Sequence, residues 1–181
     1  VSDLKPVIEK LNSSNIVIRE KKHYKQFDTY FKFNSTGEMV RYREDELIDE
    51  AGKTVSVRPR LTLIGEAKHG ISEDTKSLLS RSRYIAQAGN SLRFYREYFK
   101  PDSILEVQKD RQRFHVTFEE NNFFINLDEM NQPEIGKYVE VKATTFSSHD
   151  AEQKNKLAGK LLEALGLTKD SSIHEDYHEM K

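Results

Sequence analysis

An α+β fold, an antiparallel barrel-like sheet with flanking helices, is what this sequence predicts, on three observations. Short runs of period-two alternation recur along the chain, separated by turn residues, which favours many antiparallel strands. A few stretches carry apolar residues at helical spacing instead. The 181 residues and 21.1 kDa fit one unit, 1–181, able to bury a core unaided.

Charged residues make up 33% and hydrophobic ones 36%, so surplus charge must coat a large surface or line a polar interior. A formal net charge of −1 argues against a generally basic nucleic-acid coat. No cysteine is present, which excludes disulfides and thiolate metal sites and suits a reducing cytoplasm. No apolar run approaches membrane-spanning length and no signal pattern opens the chain, so a soluble, cytoplasmic protein with no membrane partner is expected.

Taken in order, Leu4, Val7, Ile8 and Leu11 form the stripe of a short helix, with Ser2 or Asp3 as cap and Pro6 tolerable in the first turn. Residues 16–24 and 29–33 read as two extended pieces ending at the turn NSTGE. In MVRYR, alternation puts Arg41 and Arg43 on one face and Val40 and Tyr42 on the other. The acidic EDELIDEAGK reads as a turn-rich excursion, after which RPRLTLIG places Arg58, Arg60, Thr62 and Ile64 together. Residues 68–77 read as a loop, and SRSRYIAQ as a strand with Arg81 and Arg83 on one face. Asn90 is the expected cap of a helix whose stripe is Leu92, Tyr95 and Phe99 and which Pro101 stops. In the strand 104–118, Lys109, Arg111 and Arg113 fall at i, i+2 and i+4.

Two runs then carry acids. Phe124, Asn126 and Asp128 share a face of one strand, and Tyr138, Glu140 and Lys142 share a face of the next, across a loop broken by Pro133 and Gly136. Asp128 and Glu140 therefore face one space, or form the wet outer side of a hairpin. The helix 147–166 follows, opening on a capping pair of Ser147 and Asp150, carrying Leu157, Leu161, Leu162 and Leu165, and ending at Gly166. The tail 171–180 reads as a last short strand. The six histidines form no metal-ligand spacing.

If the charged faces point inward, a lumen is lined by Arg41, Arg43, Arg58, Arg60, Lys109, Arg111 and Arg113, with carboxylates at one wall. Planar guanidinium forks suit a ligand with several phosphate groups. Asp128 and Glu140 would hold Mg²⁺ or Mn²⁺ against those phosphates.

The chain resembles the CYTH superfamily of triphosphate tunnel metalloenzymes in QFDTYF, VRYR, RLTLIG, the KxRxR run 109–113, and NLDEM followed by GKYVEVK, in that order. The resemblance implies an eight-stranded antiparallel tunnel that binds a triphosphate or polyphosphate through Arg41, Arg43, Lys109 and Arg111 and metal through Asp128 and Glu140, which would also be catalytic. Alternation adds Arg58, Arg60 and Arg113, and Lys142, which stands where the family more often has a metal ligand, joins them as an expected substrate-binding residue. The family's opening ExExK strand has no counterpart, so the chain is truncated at its N-terminus or the fold is altered. Ile64 replaces a usual Lys. The implied function is metal-dependent hydrolysis of inorganic or organic triphosphate, with class IV adenylyl cyclisation as one alternative and a non-catalytic phospho-ligand module as another. Nucleic acid is the weaker partner, since an enclosed face is closed to a long polymer, and a homodimer stays open.

Overall fold

The computed structural model describes residues 1–13, 15–64 and 82–168. Helix α1 (Lys5–Ser13) leads into β1 (Val17–Lys32), β2 (Met39–Ile48), β3 (Thr54–Ile64) and β4 (Ser82–Gln87). Helix α2 (Leu92–Phe99), β5 (Ser103–Phe118), β6 (Asn121–Gln132), β7 (Gly136–Lys142) and α3 (Ser148–Ala164) complete the described chain.

The strands form one seven-stranded sheet in the order β4-β3-β2-β1-β5-β6-β7, antiparallel throughout. Closure into a barrel requires the first strand to bond to the last. Among the described residues β4 and β7 remain the two edges, so the expected eight-stranded closed tunnel is corrected to an open sheet of seven. Alternation specifies which side chains share a face, and it carries no information about whether the two edges meet.

Two local expectations also change. The two extended pieces between residues 16 and 33 are one strand of 16 residues, because β5 pairs along nearly all of it, through the charged middle that had looked like a break. The acidic run after Arg43 continues β2 as far as Ile48, where Tyr42 Oη donates to Glu44 at 2.6 Å and Asp45 pairs with cations of β3. The turn itself is only 49–53, tied by the Asp49 carboxylate accepting from the amides of Ala51 and Lys53, with Gly52 at φ +78°.

The three described helices lie on one face of the sheet. Val7 and Leu11 of α1 and Leu161 of α3, with Leu165 just beyond its end, pack on Phe114, Val116, Ile125 and Leu127, and α2 brings Tyr95 against Phe31 and Tyr42. Ser147 accepts from the Asp150 amide at 3.1 Å, the expected start of α3. For α2 the cap position is Ser91 rather than Asn90, without a side-chain cap bond, and Lys100 at φ +46° ends the helix before Pro101. The loop 68–77, Arg81, the Arg83 side chain and the tail strand lie outside the described residues.

Candidate functional site

The other face is charged, and strand register determines who meets whom on it. Asp28 of β1 lies opposite Arg43 of β2, and Arg43 opposite Arg60 of β3. On the other side, Gln26 lies opposite Lys109 of β5, and Arg111 opposite Asp128 of β6. Asn126 faces both Arg113 and Glu140. Side chains directly across a strand pair are close enough to interact, so the predicted cations and acids do come together.

Two buried forks anchor the face. Arg43 donates through Nε and a terminal nitrogen to both oxygens of Asp28, each at 2.5 Å, and Arg111 does the same to Asp128 at 2.6 and 2.5 Å. Arg43, Arg111, Asp28 and Asp128 are all buried although none of the described helices covers this face. Bidentate, charge-assisted pairing is what makes such burial tolerable. Burial pushes the Asp28 carboxyl up, but the Arg43 guanidinium and the Lys109 amine outweigh it and hold it far below the usual carboxylate range.

The chain of contacts then spreads. The same terminal nitrogen of Arg111 that bonds Asp128 reaches Glu140 Oε2 at 3.2 Å, where the Asn126 amide also donates at 2.8 Å. Lys142 is 2.8 Å from the other Glu140 oxygen. Burial alone would raise the Glu140 pKa, yet Lys142 and Arg111, with the Asn126 bond, bring it down to about 2. Arg113 Nε donates to Asn126 Oδ1 at 2.9 Å, and its guanidinium lies over the Tyr24 ring. Asp45 accepts from Gln26 at 2.6 Å and pairs with Arg60, while Arg58 approaches it at 3.6 Å from an exposed position.

Asp28, Asp45 and Gln26 were not legible as site residues. Polar residues within 25–28 hide the period of β1, and Asp45 lies in an acidic run whose composition matches a turn. A continuous alternation Tyr24, Gln26, Asp28, Tyr30 was the signal that could have found them.

The nominated cations still outnumber the carboxylates around them, and they are of two kinds. Arg43, Lys109 and Arg111 are buried, whereas Arg41, Arg60 and Arg113 are half-buried and Arg58 and Lys142 exposed. Arg41 reaches Thr62 only at 3.5 Å, and the Nε donors of Arg41 and Arg60 are buried with no partner. An unmet buried donor costs about 1–3 kcal/mol, so both guanidiniums are set to receive acceptor oxygens. The two ends of the face differ. Tyr30, Ile64, Val107 and Met130 make one end apolar, and Ile64 there is 3% exposed rather than offering a cation. At the other, Phe124 is partly exposed and stacked on His115 at 4.9 Å.

Lys109 Nζ is 3.7 Å from Asp28. Burial drives its pKa down to about 7, Arg111 and Arg43 add to the depression, and Asp28 and Asp128 oppose it. An unfolded Lys titrates near ~10.4, so between about pH 7 and that value the unfolded chain holds more protons. Stability therefore rises with pH across this window and the gain is lost as pH falls toward 7. Urea unfolding at pH 7.5 and 9.5 is expected to show this rise in the wild type and a smaller one in Lys109→Met; equal rises would remove the assignment.

A divalent cation fits poorly. Mg²⁺ and Mn²⁺ want several oxygen ligands, and among the described residues no group of three His, Asp or Glu side chains could hold a metal ion. Both oxygens of Asp128 are taken by Arg111, and those of Glu140 by Arg111, Asn126 and Lys142. The residues expected as metal ligands converge, but on a guanidinium.

No protein-family model and no curated protein matches the sequence. Solved structures do. A "putative adenylate cyclase" from Vibrio parahaemolyticus matches with a TM-score of 0.64 at 12% identity, over 99% of this chain and 91% of that one. The PH1012 protein from Pyrococcus horikoshii OT3 matches with a TM-score of 0.64 at 14% identity, over 98% and 93% of the respective chains. No helix of the described chain is long and apolar enough to cross a membrane. At these identities the likeness speaks for architecture alone: this chain shares its fold with both proteins across almost its whole length.

Proposed function

We infer that the charged face binds a small, phosphate-rich anion, with a triphosphate group as the best-matched ligand. The observation that carries this reading is the pair of buried, unpartnered Nε donors on Arg41 and Arg60, set among cations in excess of carboxylates. A guanidinium meets phosphate oxygens in a two-pronged geometry that chloride cannot offer, and a polyphosphate presents several such oxygen pairs to a row of cations. The ligand's phosphates lie along the middle of the face, and any organic group extends away from the apolar end at Ile64, toward Phe124 and His115. Adenylate cyclisation, the activity in the Vibrio protein's description, is itself chemistry on a triphosphate, and the CYTH-like sequence motifs support the same ligand class.

Calorimetric titration with phosphate, pyrophosphate and tripolyphosphate tests the reading. Each added phosphate engages a further cation, so affinity is expected to climb about tenfold per step, ~1.4 kcal/mol. Equal, millimolar binding of all three would defeat it. Phosphate and pyrophosphate release from tripolyphosphate, ATP and thiamine triphosphate, followed in parallel, tells a binding module from a triphosphatase or cyclase.

A further inference from the structure

We propose that this face recognises its anion without a divalent cation, because Arg111 and Lys142 already fill the positions at Asp128 and Glu140 that a metal would need. The proposal rests on the phosphate-binding reading for its ligand, but its metal half stands on the donor set alone.

A metal enters a carboxylate site only where oxygen lone pairs are available to it. Asp128 is completely buried and gives one lone pair of each oxygen to Arg111, so a dication could reach only the lone pairs left over, from within the buried face and beside that guanidinium. Glu140 is bridged to the same guanidinium and braced by Asn126 on one oxygen and Lys142 on the other. To bind there, a dication would have to expel Arg111 from a buried position and leave it beside another positive charge, with Arg113 on one side and Lys109 on the other along the strand. A metal's usual services to a polyphosphate are neutralising charge and clamping oxygens, and guanidinium forks perform both. Asp128 and Glu140 are then positioning residues that hold Arg111 and Lys142 toward the ligand. Free Mg²⁺, which binds polyphosphate in solution, becomes a competitor of the protein.

Two measurements test this. Manganese titration of the protein alone, followed by electron paramagnetic resonance, should show no saturable site. Calorimetry with tripolyphosphate should give full affinity in EDTA and about three- to tenfold weaker apparent affinity in excess Mg²⁺, since the dication removes ligand charge. Glu140→Gln loosens Arg111 and Lys142 and so changes affinity, but the ratio of affinities in EDTA and in excess Mg²⁺ should stay that of the wild type. Stoichiometric manganese binding that Glu140→Gln abolishes would overturn the proposal, as would a tenfold gain in affinity on adding Mg²⁺ that the same variant loses. Failure of tripolyphosphate to bind under either condition would defeat the phosphate reading, while the manganese titration would still decide the metal question by itself.

Discussion

Asp28→Asn is expected to destabilise the fold by about 3–5 kcal/mol, the usual effect of removing one partner from a buried ion pair. The amide keeps the shape of the side chain but cannot neutralise Arg43, whose side chain is 8% exposed and has its two bonds to Asp28. Lys109 loses its neighbouring carboxylate in the same step. Against a typical total stability of about 5–15 kcal/mol, that loss should move the urea midpoint by a molar or more. Arg58→Ala is the control: its 3.6 Å contact with Asp45 is made from an exposed position, and a change within about 0.5 kcal/mol is expected. The double variant Asp28→Leu, Arg43→Met should recover much of the loss, because hydrocarbon in place of a buried pair is often neutral. A cost for Asp28→Asn below about 1 kcal/mol would mean that the pair does not hold the two strands together. The same pair gives the acid limit. A carboxyl whose folded pKa lies below its unfolded value contributes stability above the unfolded value and loses it as pH falls. Asp28 and Glu140 both behave so, and their contribution should fade from about pH 4 downward.

The second large effect is on the ligand. Arg41→Ala should weaken tripolyphosphate binding by ~1.5–3 kcal/mol, roughly ten- to 150-fold, with little change in stability. Arg41 is the cleaner choice because its Nε has no partner and its bond to Thr62 is long, so little internal structure depends on it. Arg60→Ala should cost similar affinity together with some stability, since it also takes a cation from buried Asp45. Arg113→Ala should cost less affinity than either, its Nε being already given to Asn126. Arg41→Ala and Arg60→Ala together should fall short of the sum, because the two side chains serve one ligand. An Arg41→Ala protein that is folded and binds tripolyphosphate as the wild type does would place the ligand elsewhere.

Much of this was legible before any coordinates. Period-two alternation put Arg41 with Arg43, Lys109 with Arg111 and Arg113, and Asp128 with Asn126 on common faces, and the structure keeps every one of those groupings. The stripes of α1 and α3 and the Ser147 cap were equally local and equally readable. These features depend on residues within a turn of helix or a few steps of strand, where backbone geometry alone fixes direction. Register across strands is different. That Arg111 lies opposite Asp128, and Arg43 opposite Asp28, depends on pairing between segments 15 or more residues apart, and it turned two expected metal ligands into partners of a guanidinium. Tertiary structure also decided that Ile64 closes an apolar end with Tyr30, Val107 and Met130, and that β4 and β7 are the edges of the sheet among the described residues. The sequence by itself determined which charges share a face; only the folded sheet decided which of them cancel and which keep unmet donors, because charge neutralisation is a property of pairs that the chain brings together over distance.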